Sequence, residues 1–214
     1  MDKEQIQLKK ELEKIVLKYY EKDDFKIKSI VNKKIEVEVA SKDAIFTRFC
    51  KILQDNVRPL TVYNFMHFNF PNYVAAINFP DNTTEDIAKR SYLVICLSLL
   101  ADYYTLYFSD TFYFRNYGDY KDGVDLVPPH FTIHSLETNP SFLDSKINAI
   151  KESIAVFFPN RKYIRHDLLK KWKNEKFYPY GEDEKMLGLK QFSLFELLFD
   201  RQLTFCSENM EVLK

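Results

Sequence analysis

Leu93-Val-Ile-Cys-Leu-Ser-Leu-Leu-Ala-Asp-Tyr-Tyr-Thr-Leu-Tyr-Phe108 is the stretch that decides the fold. Its apolar spacing suits either a continued helix or a strand. Val94, Ile95, Tyr103, Tyr104, Thr105 and Tyr107 are strand formers, which favours a strand from about residue 93. Upstream, Thr61–Phe70 and Tyr73–Phe79 are two further strand-like runs separated by Pro71-Asn72. The first carries large apolar groups on both alternating sets, Val62, Met66 and Phe68 against Tyr63 and Phe65. That pattern predicts a central strand covered on both faces.

Working outward, Leu8, Leu12, Ile15, Val16 and Tyr19 recur at three- and four-residue steps. They predict an amphipathic helix over 3–21 behind a capping-box-like Asp2-x-x-Gln5. The period then drops to two: Phe25, Ile27 and Ser29, then Ile35, Val37 and Val39 around Asn32-Lys33-Lys34. Alternating β-branched and charged residues predict a hairpin there. Ser41 is placed to cap a helix at 42–55 with Ile45, Phe49 and Leu53 on its stripe. Thr83-Thr84-Glu85-Asp86 predicts a helix start running to about Tyr92. Residues 116–130 read as a loop, and Ile147, Ile150, Ile154 and Phe157/Phe158 predict a helix over 144–158. Short elements follow: a strand at Tyr163–Arg165, a helix at His166–Lys173 and a last buried helix at Phe192–Leu198. Strands joined by tight turns, with helices before and after, predict one α+β domain over 1–214. Its sheet is expected to be mostly antiparallel, with helices packed against it.

Composition narrows the function classes. The 214 residues include 19 Phe, 14 Tyr and one Trp, enough ring area for a large core and for contact surfaces. Thirty-one basic side chains balance 31 acidic ones, so no overall basic excess points to nucleic acid. Locally, residues 146–176 hold nine Lys/Arg against three acids, either a solvated face or a patch for an acidic partner. Cys50, Cys96 and Cys206 have no C-x-x-C spacing, and the charged N-terminus has no apolar signal core. The longest uncharged central run, Ser91–Ala101, is 11 residues, too short to span a bilayer. A cytoplasmic protein without a membrane segment is expected.

Motifs for chemistry are scarce. Gly118, Gly123, Gly181 and Gly188 form no phosphate cradle, and there is no G-x-S-x-G elbow. His130 and His134 would converge on a metal only in a helix. Pro128-Pro129 and Phe-Thr-Ile between them favour an extended segment, which separates the rings by ~13 Å. Asp102 and Asp110 flank a tyrosine-rich strand as ordinary turn residues. No catalytic residue, metal or cofactor is therefore expected. The segment from Tyr113 to Asp125 places Tyr113, Tyr117 and Tyr120 around Asp119, Asp122 and Asp125. It reads as a solvated turn or, more sharply, as an acidic, tyrosine-flanked contact surface for a protein partner.

Two segments carry a resemblance. Leu97-Ser-Leu-Leu-Ala-Asp-Tyr-Tyr-Thr-Leu-Tyr107 is similar to the S-L-x-x-x-Y-Y-T-I-Y strand of immunity-type proteins from bacterial toxin–immunity loci. Tyr163-Ile-Arg-His-Asp-Leu-Leu169 with Phe192-Ser-Leu-Phe-Glu-Leu-Leu-Phe-Asp200 resembles their closing pattern. The resemblance implies a non-enzymatic inhibitor that binds a cognate toxin and blocks its active site. It brings no catalytic motif. Two other readings stay open: an enzyme with a site dispersed over Asp, His and Tyr residues, and a binder of single-stranded nucleic acid. The latter needs Tyr103, Tyr107 or Phe114 facing solvent beside Lys or Arg.

Overall fold

The computed structural model describes residues 2–20, 24–41, 43–65, 71–80, 82–84, 87–114, 130–135, 142–180 and 191–199. Three helices come first: α1 (Lys3–Tyr20), α2 (Asp24–Ala40) and α3 (Ile45–Val57). Six strands follow: β1 (Thr61–Asn64), β2 (Asn72–Asn78), β3 (Asn82–Thr83), β4 (Ile87–Ser98), β5 (Tyr103–Phe114) and β6 (His130–Ser135). Then come α4 (Phe142–Phe157), β7 (Lys162–Tyr163), α5 (His166–Lys171), β8 (Lys173–Asn174), β9 (Phe192–Ser193) and α6 (Leu194–Leu198).

The main sheet runs β1-β2-β4-β5-β6 and is antiparallel along that path. β3 extends it beside β4, and β7 joins β5 in parallel. The fold is α+β, a mostly antiparallel sheet with helices against it. Its centre is the β4–β5 hairpin, whose register runs from Ile87 opposite Phe114 to Leu97 opposite Tyr104. Leu99–Asp102 makes the turn between the two strands.

Alternation along these strands divides the core in two. Tyr73, Ile77, Leu93, Ile95, Leu97, Leu106 and Phe108 face α2, α3 and α4 and meet Val31, Phe46, Phe49, Leu53 and Ile154. Val74, Val94, Cys96, Tyr103 and Tyr107 point the other way, onto Leu12 and Val16 of α1 and Leu169, Trp172 and Phe195. From Leu93 to Ser98 β4 is buried on both sides and has no wet face, which explains its apolar run there.

Four expectations are corrected. The hairpin predicted over 25–39 is α2: Ile27, Val31, Ile35 and Glu38 line its buried side, while Val37 and Val39 are exposed. Steps of four, four and three residues place one stripe on the sheet, and that burial overrides the strand propensity of the β-branched residues. The helix predicted from Thr83 to Tyr92 is β3 and the first half of β4, held by pairing with β5. The strand beginning at Thr61 is an edge strand, mostly exposed, and β2 takes the central place, buried from Asn72 to Ile77. Among the described residues, the hydroxyl of the expected cap Ser41 accepts only from Asp43 N, 3.2 Å away, short of the helix start. The start of α3 is instead served by the buried Glu38 carboxylate, which accepts from Phe46 N at 3.0 Å and Thr47 N at 3.3 Å. A carboxylate here satisfies orphan donors and complements the helix dipole.

Gln54 closes part of the β1 edge. Its side-chain amide donates to Leu60 O at 2.7 Å and accepts from Val62 N at 2.8 Å. It thereby occupies backbone groups that would otherwise template another strand.

Candidate functional site

The apolar residues of α3 form two stripes. Phe46, Phe49, Cys50, Leu53 and Val57 are buried against the sheet, whereas Ile45 and Ile52, seven residues apart, are 46% and 45% exposed. The sequence reading placed Ile45 on the inner stripe; the structure turns it outward. On α4, Ile150 and Ile154 go inward with the following Phe158, and Val156 is 77% exposed. A cleft of about 450 Å³ lies between the two helices, lined among others by Ile52, Asn56, Glu152, Val156 and Phe157. Its polar groups are largely engaged: Asn56 Nδ2 donates to Ser153 Oγ at 3.2 Å, and Ser153 Oγ donates to Ala149 O at 2.9 Å. Arg48 lies over the Phe157 ring at 5.9 Å. An apolar surface with an ordered polar floor and a cation at its rim is suited to contact. A second exposed apolar group is the Tyr63–Phe65 ring pair, centroids 5.9 Å apart, at the edge strand β1.

The residues singled out from sequence fall as follows. Tyr113 is the penultimate residue of β5 and pairs with His130 of β6. Tyr117, Asp119, Tyr120, Asp122 and Asp125 lie outside the described residues. His130 and His134 belong to a strand, the extended geometry expected for them. Among the described residues, no three His, Cys, Asp or Glu side chains gather as a metal-binding set. Asp110 forms an ion pair with Lys89 at 2.8 Å. Tyr103 and Tyr107 are 5% and 0% exposed and offer no open face to a base. Tyr103 donates its hydroxyl to Glu11 Oε1 at 2.6 Å. His166 is buried, stacked on Tyr107 at 4.1 Å and edge-on to Phe195 at 4.5 Å.

Comparison with family models, with curated proteins and with solved structures gives no match. The chemistry of the site thus rests on this chain's own residues. Among the described residues, no helix is long and apolar enough to cross a membrane.

Several ionisable side chains are moved away from neutral pH. Burial, then the charge of Glu38, pushes the Cys50 thiol up to about 12 and does the same to Tyr73. Burial, then the bond to Glu11, raises Tyr103. Activated nucleophiles and bases are tuned in the opposite direction. The Cys50 shift predicts alkaline instability. Below pH 9 both folded and unfolded chains keep the proton. Between the ordinary 9.0 and about 12, only the folded chain does. Stability therefore falls as pH rises through that window, by on the order of 1 kcal/mol per pH unit from this group. Urea denaturation on either side of pH 9 measures the slope, and Cys50→Ala is expected to flatten it.

Proposed function

We propose that the chain is a non-enzymatic, protein-binding inhibitor of immunity type that neutralises a cognate bacterial toxin in the cytoplasm. The observation that carries this reading is the exposed apolar surface of α3 and α4, centred on Ile52 and Val156. Large hydrophobic side chains held outward on rigid helices favour docking over reaction chemistry. The upward shifts of Cys50, Tyr73 and Tyr103 are in keeping with that. The resemblance of Leu97–Tyr107 and Phe192–Asp200 to immunity-type proteins supports the same class.

The acidic segment supplies a charge-based contact in this proposal. Asp119, Asp122 and Asp125, with Tyr113, Tyr117 and Tyr120, would meet a basic nucleic-acid-handling or phosphate-handling cleft. Complementary charge speeds association and discriminates against wrong partners. Co-expression with the toxin encoded beside it is expected to restore growth of a sensitive host. Replacing Asp119, Asp122 and Asp125 together by Lys is expected to weaken binding by about a hundredfold or more, on the scale of close interfacial charge pairs. Thermal unfolding should stay at the parent temperature. Calorimetry showing parental affinity for the triple variant would remove this segment from the interface.

A further inference from the structure

The turn between β4 and β5 is held by two cations from different parts of the chain. Arg161, just before β7, donates through Nη1 to Ser98 O at 2.5 Å and to Ala101 O and Tyr103 O at 3.2 Å each. Lys34 of α2 donates through Nζ to Leu99 O at 2.8 Å. Phe158 lies against the guanidinium at 5.6 Å. These contacts gather two positive groups on the carbonyls of residues 98–103.

Neither cation has a carboxylate within ion-pair distance among the described residues. Asp102 acts on both only through its field, raising their affinity for protons. Burial works against both charges, and Arg161 additionally repels the Lys34 ammonium. Arg161 is half-buried, while Lys34 stands exposed at the rim of the turn. A half-buried positive group is ordinarily matched by an anion in contact, and among the described residues Arg161 is not.

The donors suited to such an anion are present. Arg161 bonds to the turn through Nη1, and among the described residues its Nε and Nη2 meet no hydrogen-bond acceptor. That edge of a guanidinium is a fork matching two oxygens of one oxyanion. Lys34 has donors beyond the one given to Leu99 O. Further positive charge stands close in the chain: Lys162 follows Arg161, and Lys151 sits over the Tyr163 ring at 4.6 Å. At the turn itself, Lys34 and Arg161 outweigh the one carboxylate that acts on both, Asp102, and the remaining positive charge favours an anion.

We propose that Lys34 and Arg161 form a phosphate-binding site at the β4–β5 turn, taking inorganic phosphate or a phosphate monoester. Arg161 grips two oxygens and Lys34 supplies the second positive charge. The site uses none of the α3–α4 cleft residues or acidic-segment residues invoked for partner binding, so either reading can fail without the other.

The test is calorimetric titration of the full chain with sodium phosphate near pH 7, with sodium acetate at matched ionic strength as the comparison. Saturable binding of phosphate, at least tenfold tighter than acetate, is expected. Arg161→Lys keeps a charge but loses the fork, and Lys34→Met keeps the stem but loses the charge. Each is expected to weaken phosphate about tenfold or more, the worth of one charge-assisted bond. Equal affinity for acetate would overturn the phosphate assignment. No saturable phosphate signal, or an unchanged affinity in Lys34→Met, would overturn the site. Should Arg161→Lys fail to fold, Lys34→Met alone decides.

Discussion

Phe49→Ala is expected to lower the free energy of unfolding by about 3–5 kcal/mol, the range for deleting a fully buried aromatic ring. Phe49 is 0% exposed and stands where α3, α4 and the sheet meet. Its ring is 5.8 Å from that of Phe46, 6.0 Å from Phe157 and 5.6 Å from Phe158. Removing it opens a cavity that three rigid neighbours cannot readily fill. A domain of this size has only about 5–15 kcal/mol of net stability, so the loss is a large share of the total. Urea denaturation should show a lower midpoint with an unchanged slope. A change below about 1 kcal/mol would mean that the two helices are not seated as described.

The second large effect is expected at Glu38. Its carboxylate is 4% exposed and accepts from the backbone of Phe46 and Thr47 at the start of α3. Glu38→Ala leaves those donors buried without an acceptor, at a cost of about 2–4 kcal/mol. Glu38→Gln keeps an acceptor oxygen and should recover about half of the loss, since a neutral hydrogen bond is roughly half as strong as a charge-assisted one. This substitution also separates the two readings of residues 25–39. In a hairpin with one wet face Glu38 would be a solvated charge, and its removal would cost less than about 0.5 kcal/mol. Denaturation of both variants, with the parent chain as reference, measures the difference.

The contrast at Glu38 shows where the sequence was legible. The strand character of residues 93–108 could be read from side chains, because Val94, Ile95, Tyr104 and Tyr107 are strand formers, but neither the turn at Leu99–Asp102 that makes two strands of it nor the first half of β4 could. α1 could be read because its apolar stripe has only one period. In α2, Ile27, Ile35, Val37 and Val39 satisfy a period of two, while Ile27, Val31 and Ile35 also satisfy steps of four. The competition is decided by the sheet face waiting to be covered, which lies far away in the chain. The capping-like residues Thr83 and Thr84 misled for a related reason. Pairing of residues 87–97 with 104–114 outweighs a local helix start.

The candidate contact surface was partly legible. Two apolar residues seven positions apart, Ile45 and Ile52, could have been recognised as a second stripe once Phe46, Phe49 and Leu53 were assigned to the core. Their pairing with Val156 depends on how α3 and α4 meet, which no local pattern carries. Lys34 and Arg161 are 127 positions apart by number and each resembles an ordinary surface cation. Only the turn at Leu99–Asp102 brings them together.

One titration reaches the heart of the account. The chain is purified from its native host under an affinity tag, the co-purifying protein is identified, and the two are titrated against each other by calorimetry. A one-to-one complex with a toxin, accompanied by loss of that toxin's activity, is the predicted result. Turnover of a small molecule by the isolated chain, with no stoichiometric protein bound, would contradict it.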